Sequence, residues 1–131
     1  MILLDTHAWL WWLQPKVREM PEATRRFIAS ASEPVGVASV SCLEVAWLVK
    51  KGRVALPVPT KEFFILGIER AGLELVPLTP SIAARSAELP DIHRDPIDRV
   101  LIATALELDA TLVSRDASIT AYPDVRVTWT P

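Results

Sequence analysis

The chain has one cysteine and two histidines in 131 residues. The lone thiol, Cys42, closes no internal disulfide. With only His7 and His93 beside it, no Cys/His zinc set can be assembled. Cys42 stands next to Leu43 in an apolar run and reads as a small core residue. Charge of one sign is also missing: 14 basic residues face 16 acidic ones, for a net charge of −2. That balance argues against a protein held on nucleic acid by bulk electrostatics. It leaves room for an enzyme that touches RNA briefly, because acids gathered around a metal can mask a local basic rim. No uninterrupted apolar run approaches the roughly 20 residues that span a bilayer. The opening residues Met1-Ile2-Leu3-Leu4-Asp5 lack the basic flank of a signal peptide, so a cytoplasmic protein without a membrane partner is expected. There is no internal repeat, low-complexity stretch or linker, and one domain over 1–131 is expected.

What is abundant is apolar surface. Half of the residues are hydrophobic and the mean hydropathy is +0.27. For so small a chain this points to surfaces covered by partners. Trp9, Trp11, Trp12 and Trp47 are too many for one small core, and some are expected to form an apolar docking face.

The apolar runs alternate between short and helix-length segments. Residues 1–5, 35–38, 73–76, 111–114 and 125–127 read as strands. The segment after Asp5 reads as a short helix to about Leu13, closed by Pro15. A second helix starts at Pro21-Glu22 and runs to about Ser32, and a third follows Ser41 and ends at Lys50-Lys51-Gly52. Thr60 is expected to cap a helix to about Ala71, and Pro80 to Leu89 reads as helical. Asp95-Pro96 reads as an N-cap and first helical position, with Ile97, Val100, Leu101, Ala105 and Leu108 at helical spacing beyond it. Strands alternating with helices predict a parallel α/β sheet with helices on both faces, and a site at the strands' carboxyl ends.

Four carboxylates fall at those ends. Asp5 closes the first apolar run, and Asp116 follows Leu112-Val113-Ser114. Glu44 sits in an otherwise apolar helix, and Asp98 opens another. Each has an ordinary reading. Asp5 caps the next helix, Glu44 completes a capping box with Ser41, Asp98 pairs with Arg94 or Arg99, and Asp116 is a turn residue. Asp91 and Asp109 stay in such turn roles, and His93 reads as a hydrogen-bonding loop residue, with phosphate contact as the alternative. Asp95 and Asp98 lie three apart on one helical face and repel unless a cation lies between them or one is protonated. Taken together, the acids suggest an oxygen-ligand site for hard divalent cations, of the kind that handles phosphate chemistry.

The segments carrying these acids resemble the four motifs of PIN-domain proteins of the VapC toxin type. Leu4-Asp5-Thr6-His7-Ala8-Trp9 resembles the first, and Ser41-Cys42-Leu43-Glu44-Val45-Ala46 the second. His93-Arg94-Asp95-Pro96-Ile97-Asp98-Arg99 resembles the third, and Leu112-Val113-Ser114-Arg115-Asp116 the fourth. They arrive in family order over nearly the whole chain. The resemblance implies a three-layer α/β/α sandwich with a central, mainly parallel sheet. It implies a Mg²⁺-dependent endoribonuclease, with Mn²⁺ as a substitute, a homodimer, RNA as substrate and a VapB-type antitoxin as partner. It makes Asp5, Glu44, Asp98 and Asp116 the acidic quartet and metal ligands. Asp95 becomes an additional acid behind the ligands or an N-cap, and Thr6 and Ser114 orient the ligands. Arg94, Arg99 and Arg115 become candidate phosphate contacts. The antitoxin is expected on the Trp9–Trp12 helix, beside the acids.

Other phosphate chemistries fit less well. An aspartyl-nucleophile phosphohydrolase needs a second acid two residues after the first, where this chain has His7. A phospho-accepting receiver domain needs a lysine after a late strand, which is missing. A PIN-fold binding module without cleavage is expected to have lost quartet acids, and all four are present. A metal-dependent DNA nuclease stays open, because nothing in the quartet reads a 2′-hydroxyl.

Overall fold

A computed structural model describes residues 1–130. Five short strands form one sheet: β1 (Ile2–Leu4), β2 (Val35–Ala38), β3 (Glu74–Val76), β4 (Thr111–Val113) and β5 (Arg126–Thr128). Every pairing is parallel, in the order β3-β2-β1-β4-β5. Leu3 and Leu4 have no solvent exposure, as expected of a central parallel strand covered on both faces.

Alternation along the strands sends two apolar sets to opposite sides. Ile2, Leu4, Val37 and Val113 pack with α1 (Thr6–Trp12), α2 (Glu22–Ala29) and α3 (Ser39–Lys50), through Ala8, Trp9, Ile28 and Val45. Leu3, Ala38 and Leu112 pack with Leu101, Ile102 and Ala105 of α6 (Pro96–Glu107), and with Ile119 and Tyr122 beyond β4. The remaining helices are α4 (Thr60–Phe64) and α5 (Pro80–Glu88), the latter lying along α6. The result is a three-layer α/β/α sandwich. No helix among the described residues is long and apolar enough to cross a membrane.

Several helix starts differ from the sequence-based expectation. Ser41 is not an N-cap, because β2 runs straight into α3, which begins at Ser39 behind Ala38. The Ser41 hydroxyl, fully buried, instead accepts a hydrogen bond from the Thr6 hydroxyl at 3.0 Å. The capping-box account of Glu44 therefore falls away. Thr60 makes no cap bond either, as α4 starts behind Pro59. The expected helix to Ala71 breaks at Phe64 and continues as a wide π turn over Ile65–Glu69. A Cβ at Gly67 in that turn would stand 2.8 Å from Leu13 Cδ1, and the Gly67 carbonyl accepts from Trp9 Nε1 at 2.8 Å. Helix α2 stops at Ala29, short of the expected Ser32, and the remaining ends follow the sequence. Thr79 caps α5 ahead of Pro80, Asp95 caps α6 ahead of Pro96, and Gly52 takes the left-handed conformation (φ 72°) behind α3.

The chain leaves β1 toward β2 on one side, while β4 lies on the other. The sheet therefore has its switch point between the ends of β1 and β4. Loops diverge there and leave a crevice.

Candidate active site

Asp5 follows β1 directly and caps α1, accepting from the Ala8 N–H at 2.7 Å. Its ordinary reading as an N-cap is thus correct, but the cap uses one oxygen only, and the residue also lines a cavity of about 300 Å³. Glu44, Asp95, Asp98 and Asp116 line the same cavity, with Thr6, His7, Trp11 and Arg115 completing the wall. All five acids singled out in the sequence converge on the mouth of the β1–β4 crevice. Four places deliver them: the end of β1 brings Asp5, α3 brings Glu44, the start of α6 brings Asp95 and Asp98, and the loop after β4 brings Asp116.

Burial, and after it crowding, shifts the acid strengths. Burial raises the Asp98 carboxyl to about 7, and the Asp95, Glu44 and Asp5 carboxylates push the same way, with His93 opposing. Burial also raises Asp5, against hydrogen bonds from Ser114 and the Ala8 N–H, the nearby His7 working the same way as those bonds and Glu44 opposing it. Asp116 goes the other way. Its partial burial raises it, but bonds from the Ser118 hydroxyl and N–H and from His93 together outweigh that, and its carboxyl is held low.

The supporting residues divide unevenly. Ser114 reaches Asp5 and also accepts from the Asp116 N–H at 3.1 Å, so it sits between two of the acids. The Thr6 hydroxyl does not donate to an acid. It goes to Ser41 and locks the first turn of α1 to the first turn of α3, the two helices that carry Asp5 and Glu44. Asp95 caps α6 through one oxygen, accepting from the Ile97 N–H at 2.9 Å.

Of the three arginines expected at phosphates, Arg99 is a correction. Its guanidinium donates to the carbonyls of Ser86 (3.1 Å), Leu89 (2.8 Å), Pro90 (3.0 Å) and His93 (3.1 Å), and its side chain is 12% exposed. A longer bond to the Ala87 carbonyl (3.4 Å) makes five, and a guanidinium whose five N–H groups are all committed has no donor to turn toward a phosphate. Arg94 and Arg115 are exposed, and Arg115 lies 4.7 Å over the Trp11 ring at the cavity rim.

His93 carries more than a loop role. Its Nε2 lies 2.9 Å from Asp116 Oδ2 and 3.0 Å from Asp98 Oδ2. A ligating atom from each of His93, Asp98 and Asp116 falls within 4.8 Å of the other two. Ser118, which holds Asp116, was also missed. The sequence offered one signal for His93: a histidine two residues before a helix-capping acid in an acid-rich segment.

The donor set suits a hard cation. Carboxylate oxygens dominate, Cys42 is not among the residues lining the cavity, and burial, with the neighbouring carboxylates adding to it, raises the Asp98 carboxyl to about 7.

The family model described as PIN domain matches residues 2–125. The chain belongs to the PIN-domain family. This PIN protein is 33% identical over 122 residues to ribonuclease VapC22 of Mycobacterium tuberculosis (strain ATCC 25618 / H37Rv), taking in 92% of this chain and 91% of the relative. That match puts it with the VapC type. Among solved structures it resembles VapBC2 from Rickettsia felis bound to a DNA fragment from their promoter. There the TM-score is 0.73 and the identity 16%, over 99% of this chain and 100% of the other. FitAcB from Neisseria gonorrhoeae gives a TM-score of 0.67 at 24% identity, over 97% and 96% of the two chains. At those identities the likeness speaks for the PIN fold.

Proposed function

We propose that this PIN protein is a Mg²⁺-dependent endoribonuclease, with Mn²⁺ as a substitute, acting as the toxin of a type II toxin–antitoxin pair. The observation that carries this reading is the convergence of Asp5, Glu44, Asp98 and Asp116 on one cavity at the sheet's switch point. Its kinship with a VapC ribonuclease supports it. Asp5, Glu44, Asp98 and Asp116 would hold the cation, with Asp95 as an additional acid at the rim. A divalent cation held there would make water easier to deprotonate and would offset negative charge on the phosphate and the leaving oxygen.

The chain's own residues supply placement. The Ala8 N–H and Ser114 fix Asp5, Ser118 fixes Asp116, and the Thr6–Ser41 bond keeps the Asp5 and Glu44 helices in register. Arg115 at the rim and the exposed Arg94 are the donors for flanking phosphates, where a guanidinium fork suits the geometry. No side chain is required as a covalent nucleophile.

The partner reading is narrower than the sequence suggested. Trp9 is wholly buried and cannot be a contact. A second cavity of about 420 Å³ adjoins the first, sharing His7 and Trp11 with it and continuing along Leu10, Leu13 and Phe63. This groove is the surface we assign to a VapB-type antitoxin, whose basic side chain would enter the acid cavity. Leu43 and Trp47, one turn apart on α3 and 53% and 50% exposed, are the surface we assign to the homodimer.

The test is incubation of purified, antitoxin-free protein with RNA and with DNA of the same sequence, in Mg²⁺ or EDTA. RNA cleavage that needs the metal is expected. Asp98→Asn is expected to lose most of it, and Asp95→Asn much less, since Asn caps a helix as well as Asp. Equal cleavage of DNA would make this a DNA nuclease. Binding without cleavage would make it a binding module.

A further inference from the structure

His93 lies in the segment between α5 and α6, yet every polar group it has is committed. Its N–H donates to the buried Tyr122 hydroxyl at 2.7 Å, and its carbonyl accepts from Arg99 at 3.1 Å. Its Nδ1 accepts from the Asp95 N–H at 3.1 Å. A ring nitrogen that accepts carries no proton, so the hydrogen of the uncharged imidazole is on Nε2. That N–H faces Asp98 Oδ2 at 3.0 Å and Asp116 Oδ2 at 2.9 Å, acids on two separate elements.

Asp116 is gripped from its other oxygen as well. Oδ1 accepts from the Ser118 N–H at 2.9 Å and the Ser118 hydroxyl at 2.7 Å. A carboxylate oxygen has two lone pairs, so an Asp held in this way can still present one to a cation. Ligation by His93 itself is a different matter. It needs a bare lone pair on Nε2, which moves the proton to Nδ1 and sets it against the Asp95 N–H, donor facing donor. The segment is built for the opposite tautomer.

We propose that His93 is a positioning residue for the cation, its Nε2–H holding the Asp98 and Asp116 carboxylates together from outside the coordination shell. The inference rests on the metal-site reading given above. Tyr122 and Arg99 belong to the same device, because they fix the His93 backbone and hence the direction of the ring.

Calorimetric titration of the metal-free protein with Mn²⁺ tests it, comparing wild type with His93→Ala and His93→Gln. His93→Ala is expected to weaken Mn²⁺ binding about tenfold or more, the usual effect of removing an outer-shell partner. His93→Gln, whose amide N–H has a similar reach, is expected to recover most of that loss. Equal or tighter binding by His93→Ala overturns the proposal, as does a His93→Gln that binds no better than His93→Ala. Spin-echo spectra of Mn²⁺ bound to wild type provide a readout that needs no variant to fold. A directly coordinated imidazole nitrogen would overturn the positioning role in favour of ligation. Failure of wild type to bind Mn²⁺ would overturn the metal-site reading, and this inference with it.

Discussion

At the scale of single residues, Asp98 bears the main electrostatic tension of the metal-free protein. Burial, with Asp95 next, raises its carboxyl to about 7 from an ordinary 3.8. A carboxyl raised by folding stabilises the native state fully below the unfolded pKa, and that contribution is lost as pH rises through the folded one. The window is therefore about pH 4 to 7, with the metal-free protein more stable at the acid end. Asp5, also raised by burial, adds in the same direction. Asp116, held low, contributes the opposite way, but its loss comes only as pH falls below the ordinary carboxylate range. Thermal melts in EDTA are expected to show a higher midpoint at pH 5 than at pH 8. Asp98→Asn, which cannot ionise, is expected to reduce that difference mainly by raising the midpoint at pH 8. A wild-type midpoint that rises steadily from pH 5 to pH 8 would contradict this account of Asp98.

At the scale of elements, the strands and the acids at their ends were legible because burial writes them into the sequence. Ile2-Leu3-Leu4 and Leu112-Val113 carry no polar side chain and are buried, and the acids Asp5 and Asp116 come where each run reaches the crevice. What stayed hidden were hydroxyls and guanidinium groups whose partners lie far along the chain. Ser41 looks like a cap until Thr6 is seen to claim it, and Thr60 until Pro59 is seen to start α4. His93 looks like a loop residue until Tyr122 and Asp116 are brought beside it. Arg99 is the clearest case. Residues 89–95 have no ladder of their own, so their carbonyls need donors, and a half-buried guanidinium at the start of α6 supplies them. Arg99→Ala is expected to cost about 3 kcal/mol of stability, because several hydrogen bonds from a charged donor are lost and part-buried carbonyls lose their partner. Arg99→Lys is expected to recover little of it, since a single ammonium cannot reproduce the fork. Denaturant unfolding measures both. A loss of RNA affinity with unchanged stability would return Arg99 to the phosphates.

At the scale of the whole molecule, the tryptophans sort themselves by layer. Trp9 is wholly enclosed between α1 and the π turn, its ring against Phe63 and Phe64 and its N–H on Gly67. Trp9→Ala is therefore expected to cost about 3–5 kcal/mol of stability and to say nothing about a partner. Trp11 is different. It is half-buried, with His7, Trp129 and Arg115 around its ring, and it lines both the acid cavity and the adjoining groove. A peptide seated along that groove must cover Trp11 before any basic side chain of it can reach the acids. Trp47 lies apart on α3, with Lys50 5.2 Å over its ring. Three substitutions then separate three roles. Trp11→Ala is expected to weaken antitoxin binding by about 2 kcal/mol, the scale of an interface hot spot, and to lower rescue of growth by co-expressed antitoxin. Trp47→Ala is expected to leave that affinity unchanged and to weaken self-association, read by sedimentation. Melting curves of each variant come first, so that a loss of binding is not a loss of fold. If antitoxin affinity survives at Trp11 and falls at Trp47, the antitoxin sits on the α3 face, and the route by which it silences the acids cannot run through the groove.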